Sequence, residues 1–83
     1  MKYRARIKVD LKPGYSDPEG EMANQSLTEL GYSVKNVCVS KVYEVCFEAS
    51  SKKEAEEQVN EMCMRLLANP TKDDYSFEIE EAK

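Results

Sequence analysis

Any chemistry in this chain has to be done without histidine, because its 83 residues contain none. The commonest general base and the commonest zinc ligand are therefore missing, which leaves Cys, Asp, Glu, Lys and Tyr. The cysteines, Cys38, Cys46 and Cys63, are three in number with no CxxC pair. An odd set at those spacings writes neither a disulfide framework nor a thiol redox motif, and it reads as buried or half-buried thiols in a reducing compartment. No nucleophile stands beside a base, and the acidic run Glu54, Glu56, Glu57 and Glu61 has the spacing of a wet helix face. An independent enzyme is not what these residues describe.

The remaining chemical candidate is GYSDPEGEMANQSLTELG, residues 14–31, with three glycines and an Asp-Pro step. A phosphate-binding loop needs a denser glycine pattern or a GK[ST] ending, and Gly14, Gly20 and Gly31 are too far apart. Helix punctuation accounts for most of the stretch. Asp17 before Pro18 is the favoured order of N-cap and first helical residue, and Gly31 stands where a left-handed C-terminal cap belongs. Gly20 is the exception: inside the first helical turn it costs about 1 kcal/mol relative to alanine. Either a partner backbone or ligand approaches closely there, or the helix tolerates it.

The elements that would position these residues follow from periodicity. YRARIKVDL, residues 3–11, alternates strictly, with Tyr3, Ala5, Ile7, Val9 and Leu11 on one face and Arg4, Arg6, Lys8 and Asp10 on the other, as a half-buried strand does. After a Pro13-Gly14 turn comes helix one, with Met22, Ala23, Leu27 and Leu30 at helical spacing. YSVKNVCVS and KVYEVCFEA then predict two strands, joined as a hairpin near Ser40-Lys41. Ser51 and Glu54 form a capping box opening helix two, which turns Ala55, Val59, Met62, Cys63, Leu66 and Leu67 inward until Asn69-Pro70 stops it. DYSFEIE, residues 74–80, alternates as a last strand.

The order β-α-β-β-α-β, without internal repeat or linker, predicts a single α+β domain over residues 1–83. It is a two-layer sandwich of antiparallel sheet with both helices on one face. In the split arrangement the first strand lies between the third and fourth. Charge agrees, since Lys2, Arg4, Arg6 and Lys8 would then face Glu44 and Glu48 on one side and Glu78 and Glu80 on the other. A domain this short buries only about 60% of the surface of its unfolded chain, so its core is thin and self-association is an expected remedy.

Function classes narrow accordingly. Twelve basic against sixteen acidic residues give a net charge of −4, which disfavours nucleic acid. An RNA-recognition module shares the element order but needs exposed rings for base stacking, whereas Tyr3, Tyr43, Phe47, Tyr75 and Phe77 all fall on the helix-facing parity. A metal-carrying domain of this topology would have CxxC after the first strand, and LKPGYSDPEG has no cysteine. MKYRARIKV is neither a signal peptide nor a membrane anchor, so a cytoplasmic protein is expected. An amino-acid-binding regulatory domain of the ACT type is the alternative, binding its ligand at a strand-to-helix loop and between subunits.

Three stretches carry a family resemblance: KVDLKPG at 8–14, DPEG at 17–20 with SLTELGY at 26–32, and MCMRLLANPTKDDYSFEIE at 62–80. Together they resemble the PurS family, the small subunit of phosphoribosylformylglycinamidine synthase in purine biosynthesis. The likeness spans nearly the whole chain. It departs from the family pattern in loops, with Tyr15-Ser16 where an aliphatic pair is common and Ser40-Lys41 where Gly-Lys is usual. The resemblance implies a ligase complex with a large synthetase subunit (PurL) and a glutaminase subunit (PurQ). That complex uses ATP, magnesium and glutamine-derived ammonia to convert formylglycinamide ribonucleotide to formylglycinamidine ribonucleotide. It also implies that the small subunit binds no cofactor, supplies no catalytic side chain, and forms a homodimer or tetramer with exchanged segments. On this reading Asp17, Pro18 and Gly20, then Lys41, then Asn69 and Pro70 shape partner-facing surfaces; capping and turn formation explain the same residues.

Overall fold

Alternation builds the centre of the molecule. In the computed structural model, which describes residues 1–82, β1 (Lys2–Leu11) buries Tyr3, Ala5, Ile7 and Val9 and exposes Lys2, Arg4, Arg6 and Lys8. Lys83, the last residue of the predicted domain, lies outside the described residues. β2 (Lys41–Glu48) and β3 (Asp73–Ala82) flank β1 antiparallel, in the order β2-β1-β3. The register brings opposite charges together as the sequence suggests: Lys2 lies opposite Glu48, Arg6 lies opposite both Glu44 and Glu78, and Arg4 lies opposite Glu80. The Arg4–Glu80 pair closes to 3.5 Å. Such exposed pairs contribute little energy, so their value is in choosing register.

α2 (Lys52–Met62) covers the other sheet face. Ser51 caps it by accepting the Glu54 amide at 3.2 Å, and the Glu54 side chain reaches back to the Ser50 amide and hydroxyl. Ala55, Val59 and Cys63 are fully buried against Tyr3, Ala5, Ile7 and Val9, with Tyr43, Phe47, Phe77 and Ile79 packed around them. All the strand aromatics therefore face the core. Burial in this apolar setting raises the Cys63 thiol above its ordinary pKa, whereas Cys38 and Cys46 are exposed rather than buried as expected.

α2 runs on into a π-turn, Cys63–Leu67, closed by the Ala68 amide donating to the Cys63 carbonyl at 2.9 Å. That i to i+5 bond inserts a residue into the helical phase, so Leu67 and Ala68 turn inward instead of Leu66. Leu66 was expected inside and is 83% exposed.

Two further expectations fail, for one reason. No strand forms over residues 32–40, so the sheet has three strands instead of four, although the α+β class and the position of β1 stand. Ser40 and Lys41 form no turn: neither has the positive φ that a two-residue hairpin uses, and the Ser40 hydroxyl is bonded to Asp10 of β1. The chain therefore runs without a turn from residue 33 into β2. With the hairpin goes the return of α1 (Pro18–Glu29) over the sheet. α1 supplies no residue to either core cluster, and Met22 and Leu30, expected inside, are 72% and 74% exposed.

α1 and residues 32–40 thus form an arm projecting beyond the sheet. A ten-residue strand of about 33 Å and a twelve-residue helix of about 18 Å, laid end to end, account for the 51 Å long dimension. The radius of gyration is 16.4 Å, against about 12 Å for a compact chain of this length. The accessible surface is 6460 Å², against about 5,000 Å² for a compact monomer of 9.5 kDa.

Candidate functional site

The predicted partner-facing residues come from three loops, and the antiparallel pairing brings those loops to one end of the sheet. Val9 pairs with Lys41 and Leu11 with Asp73, so the end of β1 meets the starts of β2 and β3. The base of the arm sits beside them. Asp17, Pro18 and Glu19 with Val39, Lys41, Leu67 and Asp73 line a groove of about 420 Å³ floored by Val9 and Leu11.

Asp17 organises the arm's base. Asp before Pro18 caps α1, and the Gly20 amide donates to Asp17 Oδ1 at 2.9 Å. Its second oxygen is spent elsewhere: the Val39 amide, 22 residues on in sequence, donates to Oδ2 at 2.9 Å. The Val39 bond and then the Gly20 bond hold the Asp17 carboxyl below its ordinary value of 3.8. Both oxygens are engaged by backbone amides, so this carboxylate is a clamp rather than a free base.

The clamp carries a pH prediction. A carboxyl whose folded pKa is depressed contributes fully above its unfolded pKa, near 3.8, and loses that contribution as pH falls through the lower folded value. The amide shifts of Gly20 and Val39 are therefore expected to titrate together with one midpoint below 3.8, while amides of β1 hold. In Asp17→Asn the shared titration disappears. Independent midpoints for the two amides would show that no single carboxylate joins them.

Gly20 finds its explanation here as well. It is the one buried residue of α1, and a Cβ there would lie 2.4 Å from the Val37 carbonyl oxygen and 2.7 Å from Asp17 Oδ2. The close approach suggested by its misplacement in a helix is made by the returning limb of the same arm. Gly31 ends the helix with φ 101°, as its capping role requires.

Asn69 and Pro70 do not line the groove; they lie in the loop between the π-turn and β3, next to its lining residue Asp73. Asn69 Oδ1 accepts the Thr71 amide at 2.9 Å, and Asp73 Oδ2 accepts the Asn69 amide at 2.8 Å. The loop is tied to β1 by the Lys12 amide donating to the Lys72 carbonyl at 2.7 Å. Asn69 thus spends its side chain on loop shape. Lys41 is exposed at the groove's rim. The arrangement orients backbone and presents surface; among the described residues no group of three His, Cys, Asp or Glu side chains is gathered to hold a metal ion.

Sequence reasoning missed Val37, Val39 and Ser40 as the other half of the clamp. Their strand-like composition signalled a sheet element, and only the odd position of Gly20 pointed to an atom lying against the helix. Ser40 donates its hydroxyl to the Asp10 carboxylate, which also faces Lys8 at 3.8 Å, so the limb is fastened to β1 just before β2 begins.

Comparison with known proteins agrees with the motifs. The family model described as PurS, phosphoribosylformylglycinamidine (FGAM) synthase, matches residues 4–81. The phosphoribosylformylglycinamidine synthase subunit PurS of Archaeoglobus fulgidus is 45% identical over 74 residues, covering 88% of this chain and 92% of that one. The crystal structure of Thermus thermophilus PurS superposes with a TM-score of 0.87 at 38% identity, covering 100% of both chains. A chain in the structure of PurLQS from Thermotoga maritima gives a TM-score of 0.85 at 30% identity, over 96% of this chain and 99% of that one. Nothing in these comparisons supports the amino-acid-sensor alternative. A match that covers both strand-rich ends, the Asp-Pro cap and the CMRLLANP π-turn together leaves one assignment: the chain belongs to the PurS family of phosphoribosylformylglycinamidine synthase.

Proposed function

We propose that this chain is the small, non-catalytic subunit of phosphoribosylformylglycinamidine synthase, holding the synthetase subunit PurL and the glutaminase subunit PurQ together so that ammonia passes between them. The observation that carries the proposal is the end-to-end match to a chain of PurLQS. On this reading the chain binds no cofactor, and ATP, magnesium and glutamine are used by the complex. The groove residues Asp17, Pro18 and Lys41, with Gly20 bonded to Asp17 and the Asn69-Pro70 loop bonded to Asp73, shape a surface offered to partners. The cytoplasm is its site of action; no helix of the described residues is long and apolar enough to cross a membrane.

The homodimer with exchanged segments belongs to the same proposal. About 1,400 Å² of accessible surface beyond that of a compact monomer, taken from each of two chains, exceeds what a stable dimer needs. The unpartnered apolar positions of α1 match what the thin core lacks, since Tyr43, Val45 and Phe47 of β2 remain only half-buried under α2 alone.

Reconstitution tests the function. With PurL, PurQ, ATP, magnesium and glutamine, synthase activity is expected to require this chain, whereas activity with free ammonia survives its omission. Glutamine-dependent activity that is equal with and without the chain would overturn the proposal.

A further inference from the structure

A sheet of three strands has two edges, and here they differ. The β2 edge lies on the side that an exchanged arm would cover, where Tyr43, Val45 and Phe47 are only half-buried. β3 is the other edge. Its residues pair one to one with β1, from Asp73 opposite Leu11 to Ala82 opposite Lys2, and no strand of the described residues lies on its far side. About half of its backbone N–H and C=O groups therefore point outward, along an edge about 33 Å long. Proteins blunt such an edge with a proline, a bulge, lysines or a covering element. β3 has neither proline nor lysine, and its register with β1 is unbroken.

What β3 does carry is charge of one sign. Asp73, Asp74, Glu78, Glu80 and Glu81 share the strand with no base. Arg4 takes Glu80 at 3.5 Å and Lys12 takes Asp74 at 3.9 Å, while Glu78 and Glu81 close no ion pair among the described residues. Two β3 edges brought together would set carboxylates against carboxylates, which is destabilising, so a second copy of this chain is not the occupant. The same charges favour a strand with bases at alternate positions. Its remaining positions would be apolar, because the helix-side face of the edge offers Tyr75, Phe77 and Ile79, all half-buried. Met64, 56% exposed, adjoins them through Asn60, which accepts the Tyr75 hydroxyl at 2.5 Å and lies 3.9 Å from the Met64 sulfur. β1 has this pattern, with Arg4, Arg6 and Lys8 alternating with Ala5, Ile7 and Val9, and it already pairs with β3 from the inside. Because β1 is central in its own sheet, another copy's β1 is not free to pair again, and a second basic strand has to come from a different protein.

We propose, building on the subunit reading above, that the outer edge of β3 receives an extended segment of a partner subunit in which basic and apolar residues alternate. Backbone bonds to the outward groups of β3 supply its affinity, and the acidic side chains select its sequence. Glu78 and Glu81 are the carboxylates that gain a partner.

Hydrogen exchange on the complex with PurL and PurQ tests the edge. In the chain alone, the outward amides of residues 74–82 are expected to exchange fast at every concentration; in the complex they slow by about tenfold or more. Glu78→Gln with Glu81→Gln is expected to raise the dissociation constant of the complex about three- to tenfold at low salt, while the chain's own melting temperature holds. A complex that assembles with these amides still exchanging as fast as in the free chain overturns the edge and leaves the subunit reading standing. Protection already present in the free chain and growing with its concentration makes a second copy the occupant and overturns the proposal. Equal weakening by Glu56→Gln with Glu57→Gln, on the exposed face of α2, reduces the effect to net charge and overturns it, as does protection that the Glu78 and Glu81 substitutions leave unweakened. If no complex forms with PurL and PurQ, the subunit reading falls and the edge proposal with it.

Discussion

Ile7→Ala is expected to cost roughly 2 to 5 kcal/mol of folding stability, the range for deleting a buried Ile to Ala in a core that only partly relaxes. Ile7 has no accessible surface and lies at the centre of the central strand, opposite Tyr43 on one neighbour and Phe77 on the other. Above it are Val59 of α2 and Cys63 of the π-turn, also fully buried. The only other fully buried strand residue is an alanine, so little else on β1 can close the void. A domain of 83 residues has about 4 to 12 kcal/mol in total, which makes this loss a large fraction of the whole. The melting temperature should fall by on the order of 20 °C, measured at one fixed protein concentration because association would contribute to it. Val42→Ala, on the solvent side of β2 and half exposed, should stay within about 0.5 kcal/mol of the parent. A melt for Ile7→Ala within a few degrees of the parent would mean that the centre of stability lies elsewhere.

How much of this fold can be read from sequence depends on whether the pattern and its burying partner lie in the same chain. β1, β2 and β3 were legible because alternation states which face is buried, and the charges on their outer faces choose neighbours. The capping residues Asp17 and Ser51 were legible because the bonds they make span three residues. Met22 and Leu30 misled because periodicity states that a helix has an apolar face but not whose sheet will cover it. Leu66 misled for a local reason, since a π-turn shifts phase by one residue and leaves no distinct composition behind. Residues 32–40 have strand composition, but composition does not say which edge a strand will meet, and here no turn at 40–41 brings them back beside β2.

The site was legible at its loops and hidden in its connections. Asp17, Pro18 and Lys41 line one groove, and Asn69 is bonded to its lining residue Asp73, yet their common location follows from sheet register. The Asp17–Val39 bond joins residues 22 apart, and no local pattern announces such a pair. Gly20 was the one residue whose cost in a helix left a close approach open beside plain tolerance, and the structure shows the close approach.

That contact makes Gly20→Ala the sharper test of the arm. Two effects oppose each other. Alanine improves helix propensity by about 1 kcal/mol, so α1 itself should be as helical as before or slightly more. Against this, the new methyl would stand 2.4 Å from the Val37 carbonyl oxygen, a distance at which something must move. Asp17 cannot yield easily, being held by two amides, so the limb carrying Val37 is displaced. Val39 follows two residues later and leaves the carboxylate. Overpacking of this kind costs about 1 to 3 kcal/mol, enough to outweigh the gain in propensity. Because α1 contributes no residue to the core clusters, the cost falls on the geometry of the arm and not on the sheet. Exchange of the Val39 amide should therefore accelerate while amides of β1 keep their protection. The dimer dissociation constant should rise by about one decade, since a net cost of up to about 2 kcal/mol remains once the propensity gain is set against the overpacking and about 1.4 kcal/mol is tenfold. Glutamine-dependent synthase activity should fall with it when subunits are limiting. An unchanged dissociation constant with a protected Val39 amide would show that the limb accommodates the methyl, and that Gly20 serves the helix alone.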